Sequence, residues 1–353
     1  MKLLVFGDVH YSSYSSIIRS RGEKYSMRIE NILKSMKWVE DLAYNFGCDA
    51  IVGLGDFFDK AELNSEELTA LDEIIFNNIP HYFLVGNHEV GTSNLKISSA
   101  RVLGLGNNLN VIDEPSVFNP SSDTQLCFLP YIFEADRKTL NEYFPQSVAN
   151  KIVFSHNDLK GIQMGKFLSS EGFDIKDIEA NCRLFINGHL HNGTTIGKNI
   201  INLGNLTGQN FSEDADRFPH NVLILDTEQF SVEWIENPYA FRFYKLDFSD
   251  CWDESCDQHI FGALSAIGPN AVATIKVNTE SKFIVEDLIS TMPNIVESRI
   301  IVDMSASQQV QFIKNETDFS VDHIKQFSDY VKEQLGTSKE VLEELVVVTG
   351  GIS

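Results

Sequence analysis

The stretch Ala50-Ile51-Val52-Gly53-Leu54-Gly55-Asp56-Phe57-Phe58-Asp59 runs from apolar and small residues directly into a Gly-Asp pair. Residues 51–54 have the composition of a short buried strand, and Gly55 lets the backbone turn sharply where that strand ends. Asp56 is therefore predicted at the carboxyl edge of a sheet, where open α/β folds place their functional groups. A single Asp in this position is as often a turn residue, so the prediction depends on how the other strands end.

Four more predicted strands end in side chains of the types that bind metal ions. These strands cover residues 2–6, 81–85, 151–154 and 184–186. The side chains that follow them are Asp8 and His10, Asn87 and His88, His156, and His189 and His191. One histidine beside a strand is more often a structural residue, but five such strand ends at one edge of a sheet are hard to explain as turns. The pattern therefore predicts a shared metal site.

The types of ligand indicate the class of metal. Imidazoles mixed with carboxylates and one amide oxygen suit a borderline divalent ion such as manganese, iron or zinc, and suit magnesium less well. Seven such side chains are too many for one ion with open positions, but they suit two ions about 3.5–4 Å apart that share a carboxylate. Two ions of this kind lower the pKa of a water molecule and stabilise the charge of a phosphoryl group. The residues thus indicate phosphoester hydrolysis.

The order of the predicted elements favours an α/β fold. The first 90 residues follow the order β-loop-α-β-α-β, which favours a mainly parallel sheet with right-handed crossovers. The helices are predicted at about residues 26–46 and from an N-cap at Ser65 to about residue 77. The pattern changes near Pro238, after which short helices and strands alternate without further histidine clusters. We predict a large domain at 1–238, a small α+β capping domain at 239–318 and a C-terminal helical segment at 319–353.

The charge balance argues against a broad basic face for nucleic acid. Lys and Arg number 28 and Asp and Glu number 50, which gives a formal net charge of −22. Metal ions can still supply positive charge at a local site. The only basic cluster near the predicted site is Arg19, Arg21, Lys24 and Arg28. This cluster is either a solvated loop or, as a hypothesis, a contact for DNA phosphates.

The chain is predicted to be cytoplasmic and free of membrane association. No apolar run approaches the roughly 20 residues of a membrane span. Lys2 is followed by only four apolar residues before Gly7, which is too short for a signal peptide. The five cysteines lack zinc-ligand spacing and are expected to be reduced thiols.

The residues at the strand ends resemble a known set of motifs. In order and type they are similar to the five motifs of the calcineurin-like metallophosphoesterases. The matching segments are Asp8-Val9-His10, Gly55-Asp56-Phe57-Phe58-Asp59, Gly86-Asn87-His88-Glu89, His156 and Gly188-His189-Leu190-His191. The resemblance covers about residues 1–238 and implies a β-sandwich flanked by helices.

The resemblance also implies a role for each motif residue. One ion would be held by Asp8, His10, Asp56 and His191. A second would be held by Asp56, Asn87, His156 and His189, with Asp56 shared. His88 would bind no metal and would protonate the leaving oxygen or steady the phosphate. Asp59 would support the site from outside the ligand set.

Two sequence details separate the branches of this family. Its serine/threonine phosphatases usually carry Arg directly before Gly-Asn-His and Arg-Gly after the Asp of the second motif. Here those places hold Val85 and Lys60-Ala61. The chain more closely resembles the nuclease subunit of the SbcCD type, in its Gly-Asp-Phe-Phe-Asp and Val-Gly-Asn-His segments and in a glycine turn at 203–206. Glu89 stands where that branch more often has Asp.

This second resemblance implies a two-metal DNA nuclease, an exonuclease on DNA ends and an endonuclease on single strands, in recombination, repair or replication. Mn²⁺ is the first candidate for both ions and Mg²⁺ the second. DNA and an SMC-like coiled-coil ATPase are implied as partners. A homodimer through helices near residues 66–77 and 95–105 is a further hypothesis, because the apolar residues of these helices are either a dimer face or internal core. The implied setting is nucleoid-associated, in a cell or a virus.

Two other functions are open at this point. The same fold could act as a phosphoesterase on small molecules or on proteins, in which case a phosphate monoester should be preferred to a diester. The chain could also be a non-catalytic metal-binding scaffold whose acidic surface recruits partners. Such a scaffold normally lacks a ligand, and no ligand of the motif set is missing here.

Overall fold

The computed structural model describes residues 1–303 apart from residues 107, 165–166, 214, 216, 251–255 and 280. The helices are α1 (Met27–Asn45), α2 (Ser65–Leu71), α3 (Leu140–Tyr143), α4 (Ile175–Asn181), α5 (Cys256–Ala266) and α6 (Lys282–Ser290). Short 3-10 helices cover Ser99–Leu105 and Glu134–Asp136. The predicted C-terminal segment at 319–353 lies outside the described residues. Within the described part of the chain, no helix is both long enough and apolar enough to cross a membrane.

The strands of the described residues are numbered β1 to β17 in chain order. They are β1 (Lys2–Phe6), β2 (Ala50–Gly53), β3 (His81–Leu84), β4 (Leu109–Ile112), β5 (Ser116–Phe118), β6 (Thr124–Leu129), β7 (Asn150–Ser155), β8 (Gln163–Met164), β9 (Phe167–Leu168), β10 (Leu184–Asn187), β11 (Thr194–Ile196), β12 (Ile200–Asn202), β13 (Asn221–Asp226), β14 (Ser231–Glu236), β15 (Arg242–Phe248), β16 (Ala271–Val277) and β17 (Ile295–Val302).

Two six-stranded sheets form the body of the molecule. The first has the order β14-β13-β1-β2-β3-β4, in which β1 to β4 are parallel and β13 is antiparallel to β1. The second has the order β11-β12-β10-β7-β6-β5, in which β12, β10, β7 and β6 are parallel. The prediction of an α/β fold built as a sandwich with flanking helices is confirmed.

Strand β1 is buried on both faces because it lies between two cores. Leu3 and Val5 belong to a core with side chains of the second sheet, such as Phe154. Leu4 and Phe6 belong to a core on the other face, where α1 supplies residues including Ile32. Successive side chains of a strand point to opposite faces. A nearly continuous apolar run is therefore what this strand requires, and the same holds for β2.

The third sheet lies in the last part of the described chain. Strands β15, β16 and β17 are parallel in that order and share a core with α5 and α6. A separate apolar cluster joins this unit to the rest of the molecule, with Ile18 from the loop after β1 packed against Phe241, Phe243 and Val272. The α+β composition expected after Pro238 is present, and the domain boundaries themselves stay predictions.

The second predicted helix is shorter than expected. Asn64, rather than Ser65, is the N-cap: its side chain accepts the Glu67 backbone N–H and the Glu67 carboxylate accepts the Asn64 N–H. The helix ends at Leu71, and in the turn that follows Ile74 is buried in the core whereas Ile75 is 82% exposed. The helix predicted near 95–105 is also shorter, a 3-10 helix at Ser99–Leu105.

Candidate metal centre

The motif residues lie where five strands of the two main sheets end. Strands β1, β2 and β3 of the first sheet and strands β7 and β10 of the second lead into them. The sequence analysis expected the edge of one sheet, whereas the structure divides the five strand ends between two packed sheets. Because the two carboxyl edges meet, His10 and His191 contact each other although 181 positions separate them in the chain.

Asp8, His10 and His191 form the first group of donor atoms. One donor atom from each lies within 4.8 Å of the others, and the Nε2 atoms of His10 and His191 are 3.2 Å apart. Asp8 is fully buried, and its Oδ2 has no hydrogen-bond partner among the described residues. A buried carboxylate oxygen without a partner is energetically costly. This orphaned oxygen fits a site that binds a cation.

Asp56, Asn87, His156 and His189 form the second group. The Nε2 atom of His156 lies 3.1 Å from Asp56 Oδ2 and 3.2 Å from Asn87 Oδ1. The Nδ1 atom of His189 lies 3.0 Å from the same Asn87 oxygen. Neighbouring ligands of one ion with bonds of about 2.0–2.2 Å have separations of this size. Asp56 also shares a third donor-atom cluster with His10 and His88, so it lies between the two groups.

The orientation of His156 directs a lone pair into the second group. Its Nδ1 donates to the Leu54 carbonyl oxygen at 2.8 Å, so Nε2 of the neutral ring is an acceptor. That atom faces the acceptor oxygens of Asp56 and Asn87, so three lone pairs repel one another. A positive charge between the three atoms removes this repulsion. Without a metal ion, a proton on Nε2 supplies that charge: burial lowers the pKa of His156, but Asp56 and Asp8 raise it well above its ordinary value. Burial likewise opposes ionisation of Asp56, and His156 nevertheless lowers the pKa of Asp56. This donor set fits a metal ion.

Asp59 orients two histidines without joining either donor group. Its carboxylate Oδ1 accepts the Nδ1–H of His10 at 3.0 Å, which leaves His10 Nε2 facing His191. Its backbone carbonyl lies 3.1 Å from Nδ1 of His88, whose side chain is 42% exposed. The backbone N–H of His88 donates to Asp56 Oδ1 at 2.9 Å. His88 is therefore held beside the metal-type side chains with its Nε2 available to a substrate.

Further carboxylates contact the site histidines, and the sequence analysis assigned them no role. Asp158 Oδ1 lies 3.0 Å from Nε2 of His189, which leaves the Nδ1 of that ring facing Asn87. Glu213 is buried, with Oε1 3.8 Å from Nδ1 of His191. Carboxylates in such positions fix the orientation of metal-binding imidazoles. Asp158 follows His156 closely enough to have been noticed, but the sequence carries no sign of Glu213.

The backbone at the site is strained at three motif residues. His10, Asp56 and His189 have φ values of 48°, 46° and 71°, which residues other than glycine seldom adopt. Gly86 approaches Asp56 closely, since a Cβ atom there would lie 2.1 Å from Asp56 Oδ1 and 2.5 Å from its backbone nitrogen. A glycine is therefore needed before Asn87, and the strained backbone turns the donor side chains inward.

The four basic residues near the site do not form one patch. Arg21 is paired with Glu66 at 2.8 Å, and Lys24 is paired with Glu73. Arg19 is exposed and donates from Nε to the Ser16 carbonyl. Arg28 is buried beside the site. Two of the four charges invoked for DNA contact are thus neutralised by glutamates.

These residues identify the class of protein. The chain belongs to the calcineurin-like phosphoesterase family, whose model matches residues 1–218. Members of this family are hydrolases that use divalent metal ions, and the donor groups described above are of the kind that such a metal centre needs. Over 204 residues it is 24% identical to the "Probable exonuclease subunit 1" of Escherichia phage T5. That match covers 56% of this chain and 59% of the phage protein.

Two solved structures share distant likeness with the chain. TT1561 of Thermus thermophilus aligns with a TM-score of 0.35 and 14% identity, over 67% of this chain and 98% of its own. A glutamine-dependent NAD⁺ synthetase of Acinetobacter baumannii aligns with a TM-score of 0.30 and 11% identity, over 100% of this chain and 72% of its own. Likenesses this distant carry no argument about function.

Proposed function

We propose that the chain is a two-metal nuclease that hydrolyses phosphodiester bonds of DNA, as an exonuclease on ends and an endonuclease on single strands. The observation that carries this proposal is the pair of donor groups with Asp56 between them. A pair of divalent ions suits the in-line displacement of a phosphodiester. The relative named as a probable exonuclease subunit supports a nucleic acid as the substrate. The absence of Arg at position 85 supports a diester over a phosphoprotein, since Val85 stands there.

In this proposal Asp8, His10, Asp56 and His191 hold one ion, and Asp56, Asn87, His156 and His189 hold the other. The mixed nitrogen and oxygen donors favour Mn²⁺, with Mg²⁺ as the second candidate. When bound, the two ions lower the pKa of a water molecule and neutralise charge on the phosphoryl oxygens.

His88 is the proposed proton donor. A backbone carbonyl can only accept, so the 3.1 Å contact with Asp59 means that Nδ1 of His88 carries a hydrogen and donates it. In the protonated ring, Nε2 also carries a hydrogen and can transfer it to the leaving oxygen of the substrate. The Asp59 carboxylate lies 3.6 Å from His88 Nδ1 on the same side of the ring.

The test compares cleavage of linear and single-stranded DNA in Mn²⁺ by wild type, Asp56→Asn, His88→Gln and the control His259→Gln. His259 is exposed on α5, away from the motif residues. We expect His88→Gln to bind two metal ions with wild-type affinity in calorimetry and to lose most activity. We expect Asp56→Asn to weaken both ions, because this side chain lies between both donor groups.

Model substrates separate the proposal from its alternative. A nuclease should hydrolyse bis-p-nitrophenyl phosphate in preference to p-nitrophenyl phosphate. A strong preference for the monoester, with no DNA cleavage alone or with a coiled-coil ATPase, would instead indicate a small-molecule or protein phosphoesterase. That result would overturn the nuclease proposal.

The proposed partners follow from charge and from the resemblance. A net charge of −22 disfavours strong DNA binding by this chain alone, so we propose that an SMC-like coiled-coil ATPase supplies much of the DNA affinity. The segment proposed to bind that ATPase, 319–353, lies outside the described residues. Co-expression with a candidate ATPase, followed by a Mn²⁺ nuclease assay, tests this part. An ATPase that neither copurifies nor raises DNA affinity would contradict it.

A further inference from the structure

A small cavity of about 220 Å³ opens beside the candidate metal centre. Its wall includes His10, His88 and His191 from the motifs, together with Asp59. Two polar side chains from outside the motifs also line the cavity: Arg28 of α1 and Gln209 of the segment after β12. A substrate phosphate held near His88 would therefore lie close to a guanidinium group.

Arg28 is buried, with 3% of its surface exposed. Its Nη2 atom donates to the carbonyl oxygen of His10 at 2.9 Å and to Oε1 of Gln209. Both acceptors are neutral, and Arg28 forms no ion pair with the carboxylates of the described residues. Its buried Nε has no hydrogen-bond partner there either. The side chain thus has N–H donors that no described residue uses, and it lines the cavity.

A buried guanidinium without a counter-ion carries a large desolvation free-energy cost. Desolvation penalises the charged form strongly unless hydrogen bonds and an opposite charge offset it. Burial lowers the pKa of Arg28, while the more distant charges of Asp59 and Glu213 oppose that effect. Arginine nevertheless stays protonated in proteins. An anion entering the cavity would supply the missing counter-charge and accept the unused N–H groups.

We propose that Arg28 is a phosphate-binding residue whose guanidinium contacts a non-bridging oxygen of the substrate phosphate. A planar guanidinium suits this task because its N–H groups match the geometry of phosphate oxygens. This proposal adds a substrate-binding residue to the proposed function and rests on that function for the identity of the substrate. The contact itself does not require DNA, because any phosphoester offers the same non-bridging oxygens.

The test uses orthophosphate as the probe, so that it does not depend on DNA cleavage. The variants are Arg28→Gln, which removes the charge, Arg28→Lys, which keeps it, and the control Arg101→Gln. Arg101 is a half-exposed arginine of the 3-10 helix at Ser99–Leu105, is paired with Asp113 and does not line the cavity. Phosphate affinity is measured by calorimetry on the metal-loaded full chain and as inhibition of bis-p-nitrophenyl phosphate hydrolysis.

Arg28→Gln should weaken phosphate binding by about tenfold or more, the effect of losing one hydrogen bond from a charged group. Arg28→Lys should show a smaller loss, and Arg101→Gln none. Metal affinity should stay at the wild-type level in both Arg28 variants. If Arg28→Gln does not fold, the same comparison is made with Arg28→Lys alone.

Unchanged phosphate affinity in the Arg28 variants would overturn the proposal. So would a parallel loss of metal affinity, because it would mean that Arg28 only positions the His10 backbone. The nuclease proposal fails in a different way. If the wild-type chain cleaves no DNA but Arg28→Gln still weakens phosphate binding, the phosphate site is supported. Only the proposal that DNA is the substrate is then contradicted.

Discussion

Single residues decide how the motif loops are held at this site. Glu89 is fully buried, and its carboxylate accepts backbone N–H groups from Gly86 at 2.7 Å and from Phe58 at 3.2 Å. It therefore ties the loop that carries Asp56 to the loop that carries Asn87. Burial and the nearby charge of Asp56 raise the pKa of Glu89 to about 8. The sequence shows only that Glu89 stands where the nuclease branch more often has Asp. The structure shows that the longer Glu side chain contacts both motif loops.

The first residue-scale prediction concerns Glu89→Ala. It would leave two buried backbone N–H groups without acceptors, each costing about 1–3 kcal/mol. We expect the free energy of unfolding in urea to fall by about 2–5 kcal/mol on this basis. The control Glu62→Ala alters an exposed carboxylate and should change stability by less than about 0.5 kcal/mol. Equal stability of the two variants would show that Glu89 does not hold the loops.

A second residue-scale prediction concerns Gly86→Ala. The added methyl group would overlap the backbone nitrogen of Asp56 at 2.5 Å, and backbone cannot move aside as a flexible side chain can. We expect the two donor groups to separate, with metal affinity reduced at least tenfold in calorimetry. The control Gly262→Ala is on α5, where an added Cβ meets nothing within 4 Å, and it should bind metal normally. Normal metal binding by Gly86→Ala would contradict the close contact.

At the scale of elements, the segment between β12 and β13 closes one side of the site. The backbone N–H of Leu206 donates to the Asp8 carbonyl at 2.9 Å, and that of Asn205 donates to the His191 carbonyl at 3.1 Å. Gln209 is held in turn by Glu213, which accepts its backbone N–H at 2.9 Å. Only the glycine turn at its start was visible in the sequence, because every partner of this segment lies far away along the chain.

His220 at the end of this segment should make stability depend on pH. Burial lowers the pKa of His220, and Arg242 lowers it further, although the charge of Glu213 opposes this. Below pH 6.5 the unfolded chain therefore binds a proton that the folded chain excludes, and stability falls as the pH falls. His220→Gln should show a flatter dependence than wild type between pH 7 and pH 5 in urea unfolding. An identical slope in the two proteins would contradict a neutral buried His220.

At the scale of the whole molecule, large apolar side chains remain exposed where the predicted dimer helices were expected. Leu105 of the 3-10 helix is 85% exposed and Ile75 after α2 is 82% exposed. Ile97 and Leu68 are 65% and 46% exposed. Exposed apolar groups of this kind often mark protein contacts. They support the proposal of a homodimer, although they belong to shorter elements than the sequence analysis expected.

The whole-molecule prediction is an oligomeric state. We expect light scattering to give a dimer at micromolar concentration and Ile75→Glu with Leu105→Glu to give a monomer, because buried charges would oppose association. The monomer should still hydrolyse bis-p-nitrophenyl phosphate, since neither residue contacts the candidate metal centre. Phe283→Glu, at a 72% exposed position of α6, is the matched control. A wild-type monomer at these concentrations would contradict the proposal.

Local patterns were enough to predict the strands that lead into the motifs. Apolar strands followed by glycine and a metal-type side chain can be recognised from a few residues, and the structure brings all seven predicted ligands into two adjoining groups. The end of α2 could not be predicted in the same way. Its apolar residues have helical spacing, but a turn follows Leu71 and still buries Ile74 in the core, so apolar spacing alone does not mark where the helix ends.

The sequence by itself determined the chemical class of the site, because the types and order of the motif side chains are local properties of the chain. Only the tertiary structure decided that two sheets share the site, that Asp158 and Glu213 contact its histidines, and that Arg28 lines its cavity. Each of these contacts joins residues far apart in the chain. Their distances follow from how the two sheets and α1 pack, and no spacing along the sequence carries that information.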